Sequence, residues 1–186
     1  MKNSMTGSMS GWKPIPRQPV ATEVASALTH PHVKSVLILG IGNILLRDEG
    51  VGVRVIEALQ GVEWPNHVEV LDGGTGGANL VDLMADRHKL IVIDAVDAQL
   101  PPGTVVRLEG DELLPEPHAA LSLHQLALVD SLAMATMLGC APREVIVVGI
   151  QPGQIRPGLH LSPEVECAIP NAIDVVRQEV HQYCVE

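Results

Sequence analysis

Phenylalanine is absent from this chain, and aromatic residues make up only 2% of it. The core therefore has to be built from Val, Ile, Leu, Met and Ala, which suits a parallel sheet covered by helices on both faces. Cysteine is scarce: Cys140, Cys167 and Cys184 are far apart, odd in number and form no CxxC pair. A disulfide framework and a zinc finger are disfavoured, and a reducing cytoplasm is the natural setting. Positive charge is short, with 12 basic residues against 22 acidic ones and a net charge of -10. With no basic stripe, nucleic acid is not an expected partner. No apolar run reaches transmembrane length, so no membrane partner is expected either. The HExxH zinc helix, the GxSxG nucleophile elbow and the Walker A lysine are all missing.

What is present is a chain of 186 residues, 46% of them apolar, which suits one domain with a single core. Residues 1–34 are rich in Met, Ser, Pro and Gly and lack the continuous apolar stretch of a secretory signal. They read as a loosely structured N-terminal extension. Residues 35–186 read as a single α/β domain.

Within that domain the apolar pattern alternates between strands and helices. Strands are expected at Ser35–Leu39, Val68–Leu71, Leu90–Ile93, Gly103–Leu108 and Val145–Ile150. Helices are expected at Glu49–Gln60, Asn79–Asp86, Leu123–Leu138 and Pro163–Tyr183, the last with a kink at Pro170. Residues 109–121 read as a long polar loop, and Ser122 with Gln125 as a capping box. The β-α-β-α-β opening implies parallel strands with right-handed crossovers. The expected architecture is a three-layer αβα domain with a five-stranded, mostly parallel, twisted sheet and helices on both faces. The fourth strand is placed at an edge and need not be parallel. No long apolar surface helix is left unassigned, so a monomer is expected.

The most informative segment is Leu39–Arg54, in which a strand passes through a glycine turn into a helix. A dinucleotide fold needs a third glycine where Leu45 stands, and backbone amides left open for a pyrophosphate. This turn carries Asp48 and Glu49 instead, with Asp48 read as the helix N-cap. A helix N-terminus favours an ionised Glu49 that can hold a cation. Ligands of open α/β sheets bind beyond the carboxyl ends of the strands, where the strand order reverses. If the first strand lies between the second and the third, Glu49 and Asp94 look into one crevice, and a short return can bring His124 to it. Two carboxylates and an imidazole can hold a divalent metal with positions left open. Each residue also has a plain structural reading: Glu49 as a helix-dipole partner, Asp94 as a turn cap, His124 as a cap-region histidine. Asp97 reads as a loop acid.

A second unusual element is Asp72-Gly73-Gly74-Thr75-Gly76-Gly77. Four glycines in six residues permit close backbone approach. The segment is either a tight strand-to-helix turn or a surface on which an extended peptide or an oxyanion docks.

The segments GIGNILLRDEGVGVRV, LDGGTGG, IVIDAVDA and SLHQLALVD occur in the order and spacing of the hydrogenase maturation proteases, which the chain resembles from about Val36 to its C-terminus. The resemblance implies an endopeptidase that removes a short C-terminal extension from the large-subunit precursor of a NiFe hydrogenase once nickel is in place. It implies nickel as the metal, carried by the precursor, with Glu49, Asp94 and His124 as its ligands. It points to Asp72 as the catalytic group, of aspartyl type, with Gly73, Gly74, Thr75 and Gly76 against the substrate. The wording of these motifs is similar to the branch of the family serving uptake hydrogenases. The rival reading is a non-catalytic metal- or nucleotide-binding module of the same fold.

Overall fold

Pairing along the sheet extends most of the expected strands by one to three residues. In the computed structural model they are β1 (Val36–Ile41), β2 (Val68–Gly74), β3 (Lys89–Ala95), β4 (Val105–Glu109) and β5 (Glu144–Ile150). The helices are α1 (Val51–Leu59), α2 (Asn79–Met84), α3 (Leu123–Leu138) and α4 (Pro163–Val185). The structure describes residues 35–76, 79–109 and 123–185, the side chains of 79, 123–126 and 184–185 excepted. The expected N-terminal extension, most of the 109–121 loop and the Ser122–Gln125 capping box lie outside the described residues.

The strand order is β2-β1-β3-β5-β4, with β4 antiparallel to β5 at one edge and the other pairs parallel. Strand β1 therefore lies between β2 and β3, and the order reverses at β1/β3, which meets the condition set for a shared crevice. Alternation along β1 and β3 divides the core in two. Val36, Ile38, Ile91 and Ile93 face α1 and α4, packing on Val55, Ile56, Ala172 and Val176. Leu37, Leu39, Leu90 and Val92 face α2 and α3, packing on Leu80, Met84, Leu128 and Ala135.

One expectation is corrected. The helix predicted from Glu49 starts later: residues Arg47–Gly50 form a separate 3-10 turn, and α1 begins at Val51. Asp48 caps no helix; the residue at the start of α1 is Gly50, with no side-chain cap. The physical reason is a stronger competing use for the Asp48 carboxylate, described below. Helix α3 leaves Met134, Met137 and Leu138 exposed. Helix α4 continues through Pro170.

Candidate functional site

Gly52 is where this fold brings its acids together. A Cβ at that position would collide with the carbonyl oxygens of both Ile41 and Ile93. Glycine thus lets the first turn of α1 rest directly on the carboxyl ends of β1 and β3. Glu49, three residues earlier, is held beside Asp94, one residue after Ile93. Glu49 is 8% exposed and Asp94 is 2% exposed.

Asp94 is an ionisable group in an apolar setting. Its Oδ1 accepts the N–H of Ala95 at 2.8 Å, while its buried Oδ2 has no hydrogen-bond partner among the described residues. Burial pushes its pKa well above the ordinary carboxylate value, the Ala95 bond opposes that, and the charge of Glu49 adds to the rise. A buried carboxylate oxygen facing a second acid is a position that a divalent cation would neutralise.

Asp94 shares its sheet face with Leu90 and Val92, the face covered by α2 and α3. Helix α3 begins with Leu123 and His124. A Cβ built on Gly76 would stand 3.5 Å from Cβ of Ala127, one turn past His124, so the start of α3 abuts the glycine turn after β2. The backbone of His124 is thereby at the carboxyl end of the sheet. Its side chain lies outside the described residues, and among the described residues no three His, Cys, Asp or Glu side chains form a metal-binding group.

Asp72 is placed differently. It pairs with Gly40 in the sheet, and alternation puts it on the α1 face, opposite Asp94. It is exposed, and its Oδ1 accepts the N–H of Gly74 at 2.7 Å, closing the turn. A register shift follows at Gly74, whose positive φ of 54° suits glycine. Gly76 N–H donates to Gly73 O at 3.1 Å. Gly73, Gly74, Thr75 and Gly76 thus form a turn at the end of edge strand β2, at the same end of the sheet as Glu49 and Asp94.

Asp48, wholly buried, turns away from the acid pair. Its Oδ1 accepts Ser162 N–H at 2.6 Å, and its Oδ2 accepts Ser162 Oγ, Gly153 N–H and Gln154 N–H at 2.8, 2.9 and 2.7 Å. Burial alone raises its pKa, but the bonds from Ser162, Gln154 and Gly153 outweigh it and leave the pKa below the ordinary value. Sequence reasoning missed this anchor because its partners are more than a hundred residues away.

The first loop has no room for a pyrophosphate. The amides of Gly42, Asn43, Leu45, Leu46, Arg47, Asp48 and Glu49 all donate within the protein. A nucleotide-binding turn keeps such amides open. Around this end of the sheet, Ile44, Leu45, Leu100, Ile155 and Leu159 are exposed on the loops after β1, β3 and β5.

A family model described as hydrogenase maturation protease matches residues 53–179. The chain is 43% identical over 153 residues to the hydrogenase expression/formation protein HupD of Thiocapsa roseopersicina, spanning 80% of this chain and 68% of that protein. It is 40% identical over 153 residues to the hydrogenase 2 maturation protease of Escherichia coli K12, spanning 81% and 93%. Among solved structures, the hydrogenase maturating endopeptidase HybD from E. coli matches with a TM-score of 0.73 at 37% identity, over 80% of this chain and 93% of that one. The NiFe hydrogenase maturation protease HybD from Thermococcus kodakarensis matches with a TM-score of 0.66 at 28% identity, over 78% and 98%.

Proposed function

Because the chain belongs to the hydrogenase maturation protease family, we propose that it is the endopeptidase that removes the C-terminal extension of a NiFe hydrogenase large-subunit precursor after nickel insertion. Nickel belongs to the substrate: it arrives held by the precursor. Glu49, Asp94 and His124 meet it from the crevice, and the scissile bond is thereby fixed in place. A precursor without nickel lacks that anchor and stays uncut.

The observation that carries this reading is the buried pair of Glu49 and Asp94, with Asp94 Oδ2 unpartnered among the described residues. Folding keeps two acids together at a cost that a cation relieves. The exposed Ile44, Leu45, Leu100, Ile155 and Leu159 support a protein-sized substrate, since a folded partner can cover them. In this reading the Asp72 turn takes the extended peptide along Gly73–Gly76. The exposed Asp72 carboxylate supplies the base for an aspartyl-type cleavage. Residues 35–186 form the domain that carries the activity. Among the described residues no helix is long and apolar enough to cross a membrane, and the two described cysteines, Cys140 and Cys167, are free thiols. We place the protein in the cytoplasm, where such thiols persist.

The internally bonded first loop disfavours the nucleotide-binding alternative. The deciding experiment is intact-mass analysis of a nickel-loaded cognate precursor incubated with the protein. Loss of a short C-terminal peptide, absent with nickel-free precursor, is expected. An unchanged mass with the cognate, nickel-loaded precursor overturns the reading.

A further inference from the structure

Residues 151–162, between β5 and α4, touch the flanks of both acids. Gln151 is buried at the end of β5. Its Oε1 accepts the amides of Ala98 and Leu100 at 2.8 and 3.2 Å, and its Nε2 donates to Asp97 Oδ1 at 3.2 Å. This loop leaves β3 directly after Asp94 and Ala95. Two residues further on, Gly153 N–H and Gln154 N–H bind the Asp48 carboxylate, next to Glu49. Only Pro152 stands between the two attachments, and its fixed φ leaves the link little freedom.

The Glu49 side is secured further. Arg47 Nη1 donates to Gln154 Oε1 at 2.9 Å, and Arg47 Nε donates to His160 O at 3.1 Å. Arg47 N–H bonds Gly158 O at 3.0 Å, and Gly158 N–H bonds Leu45 O at 2.9 Å. These are contacts between loops that the sheet itself does not hold, because β1 and β5 have already ended.

We propose that the Gln151-Pro152-Gly153 link is a clip that sets the spacing between Glu49 and Asp94, with Asp48 and Gln151 as positioning residues for the cleavage. For its rate readout this inference rests on the processing function proposed above. The clip ties the segment carrying Glu49 and the loop that follows Asp94 to one short, stiff piece of chain. Like-charged side chains brought together drift apart unless their backbones are fixed. The clip's own hydrogen bonds end on Asp48, Asp97 and the amides of Ala98 and Leu100, so they supply that constraint without occupying Asp94 Oδ2.

Two measurements test the clip. The first is amide hydrogen exchange on the whole protein alone, which needs no substrate. Asp48→Asn, or the milder Ser162→Ala if the first fails to fold, alters hydrogen bonds to Ser162, Gly153 and Gln154 rather than the Gln151 bonds to Ala98 and Leu100. Exchange at the Ala98 and Leu100 amides is nonetheless expected to rise about threefold or more, the scale of one weakened hydrogen bond. A change confined to residues 153–162 overturns the proposal.

The second is a swap of partners. Gln151→Glu sets a carboxylate against Asp97 and is expected to lower kcat about tenfold with KM within about twofold. Adding Asp97→Asn restores an amide–carboxylate bond with the roles exchanged, and kcat is expected to return to within about threefold of wild type. Wild-type kcat in the folded single variant, or no recovery in the pair, overturns the positioning role. If the wild type leaves the cognate precursor uncut, the processing function fails, and the exchange measurement still decides the clip.

Discussion

Lys89 and Glu179, each 2% exposed, meet at 2.8 Å between Nζ and Oε2 and tie α4 to the start of β3. Glu179 Oε1 also accepts Arg107 Nε at 2.6 Å, and Lys89 Nζ reaches Glu144 Oε1 at 2.9 Å. This network lies at the opposite end of β3 from Asp94 and belongs to stability. Glu179→Ala removes the shared partner of Lys89 and Arg107, leaving them Glu144 and Glu109, and breaking a buried pair costs about 3–5 kcal/mol. With Glu144 still beside Lys89, a loss near 3 kcal/mol in denaturant unfolding is expected. A loss under about 1 kcal/mol contradicts the buried network.

The same network sets a pH window. Burial acts to raise the pKa of Glu179, but its bonds to Arg107 and Lys89 prevail and leave it below its ordinary 4.5. Its contribution is present above 4.5 and is lost as pH falls through the folded value. Burial acts to lower the pKa of Lys89, but its bonds to Glu179 and Glu144 raise it above 10.5. That contribution is present below 10.5 and is lost as pH rises through the folded value. In Glu179→Ala the acid side of the stability curve should flatten. A curve of unchanged shape assigns the acid loss to other groups.

Asp94→Asn should separate stability from activity. The Asp94 pKa is raised in the folded state by burial and then by Glu49, against the Ala95 bond. Its contribution to stability is most favourable below 3.8 and is lost as pH rises through the folded value. The variant should match wild type at low pH and melt higher at neutral and alkaline pH. Its processing of nickel-loaded precursor should fall about 100-fold or more, the scale of several kcal/mol of lost metal-held orientation. A lower melting temperature at neutral pH contradicts the cost assigned to the acid pair.

Leu45 is 61% exposed on the loop that carries Glu49. Leu45→Glu should leave the melting temperature within about one degree, since nothing is packed there. If the precursor covers this rim, KM should rise about fivefold to tenfold at constant kcat, the effect of losing one apolar anchor. An unchanged KM removes Leu45 from the docking surface.

Gly42 has φ of 147°, and a Cβ there would collide with the Glu49 carbonyl oxygen. Gly42→Ala is expected to cost about 1–3 kcal/mol from backbone strain alone. Because the clash is with the residue that carries the carboxylate, kcat of the folded fraction should fall as well. Full activity in a destabilised variant would show that the Glu49 backbone relaxes without moving its side chain.

The architecture was legible because alternation of apolar runs is a local property. Leu37 and Leu39 against Val36 and Ile38 already describe a strand buried on both faces, and Val51, Val55, Ile56 and Leu59 describe one apolar helix face. The placement of β1 between β2 and β3, with Glu49 and Asp94 at the reversal, was a condition of the sequence argument that the strand order meets. The helix start was misread because Asp48 before an apolar helix is the pattern of an N-cap. Four donors brought in from residues 153–162 offered that carboxylate more than a helix end could.

The sequence by itself singled out the candidate site: two acids after adjacent strands, a glycine turn after β2 and a histidine opening α3. These are encoded by neighbours within a few positions, where propensity and periodicity act. Only the tertiary structure decided which distant side chains meet. Asp48 with Ser162, Gln151 with Asp97, and Lys89 with Glu179 span 114, 54 and 90 positions. Such pairs leave no periodic trace, because burial and hydrogen bonding select them only once the sheet has brought distant loops together.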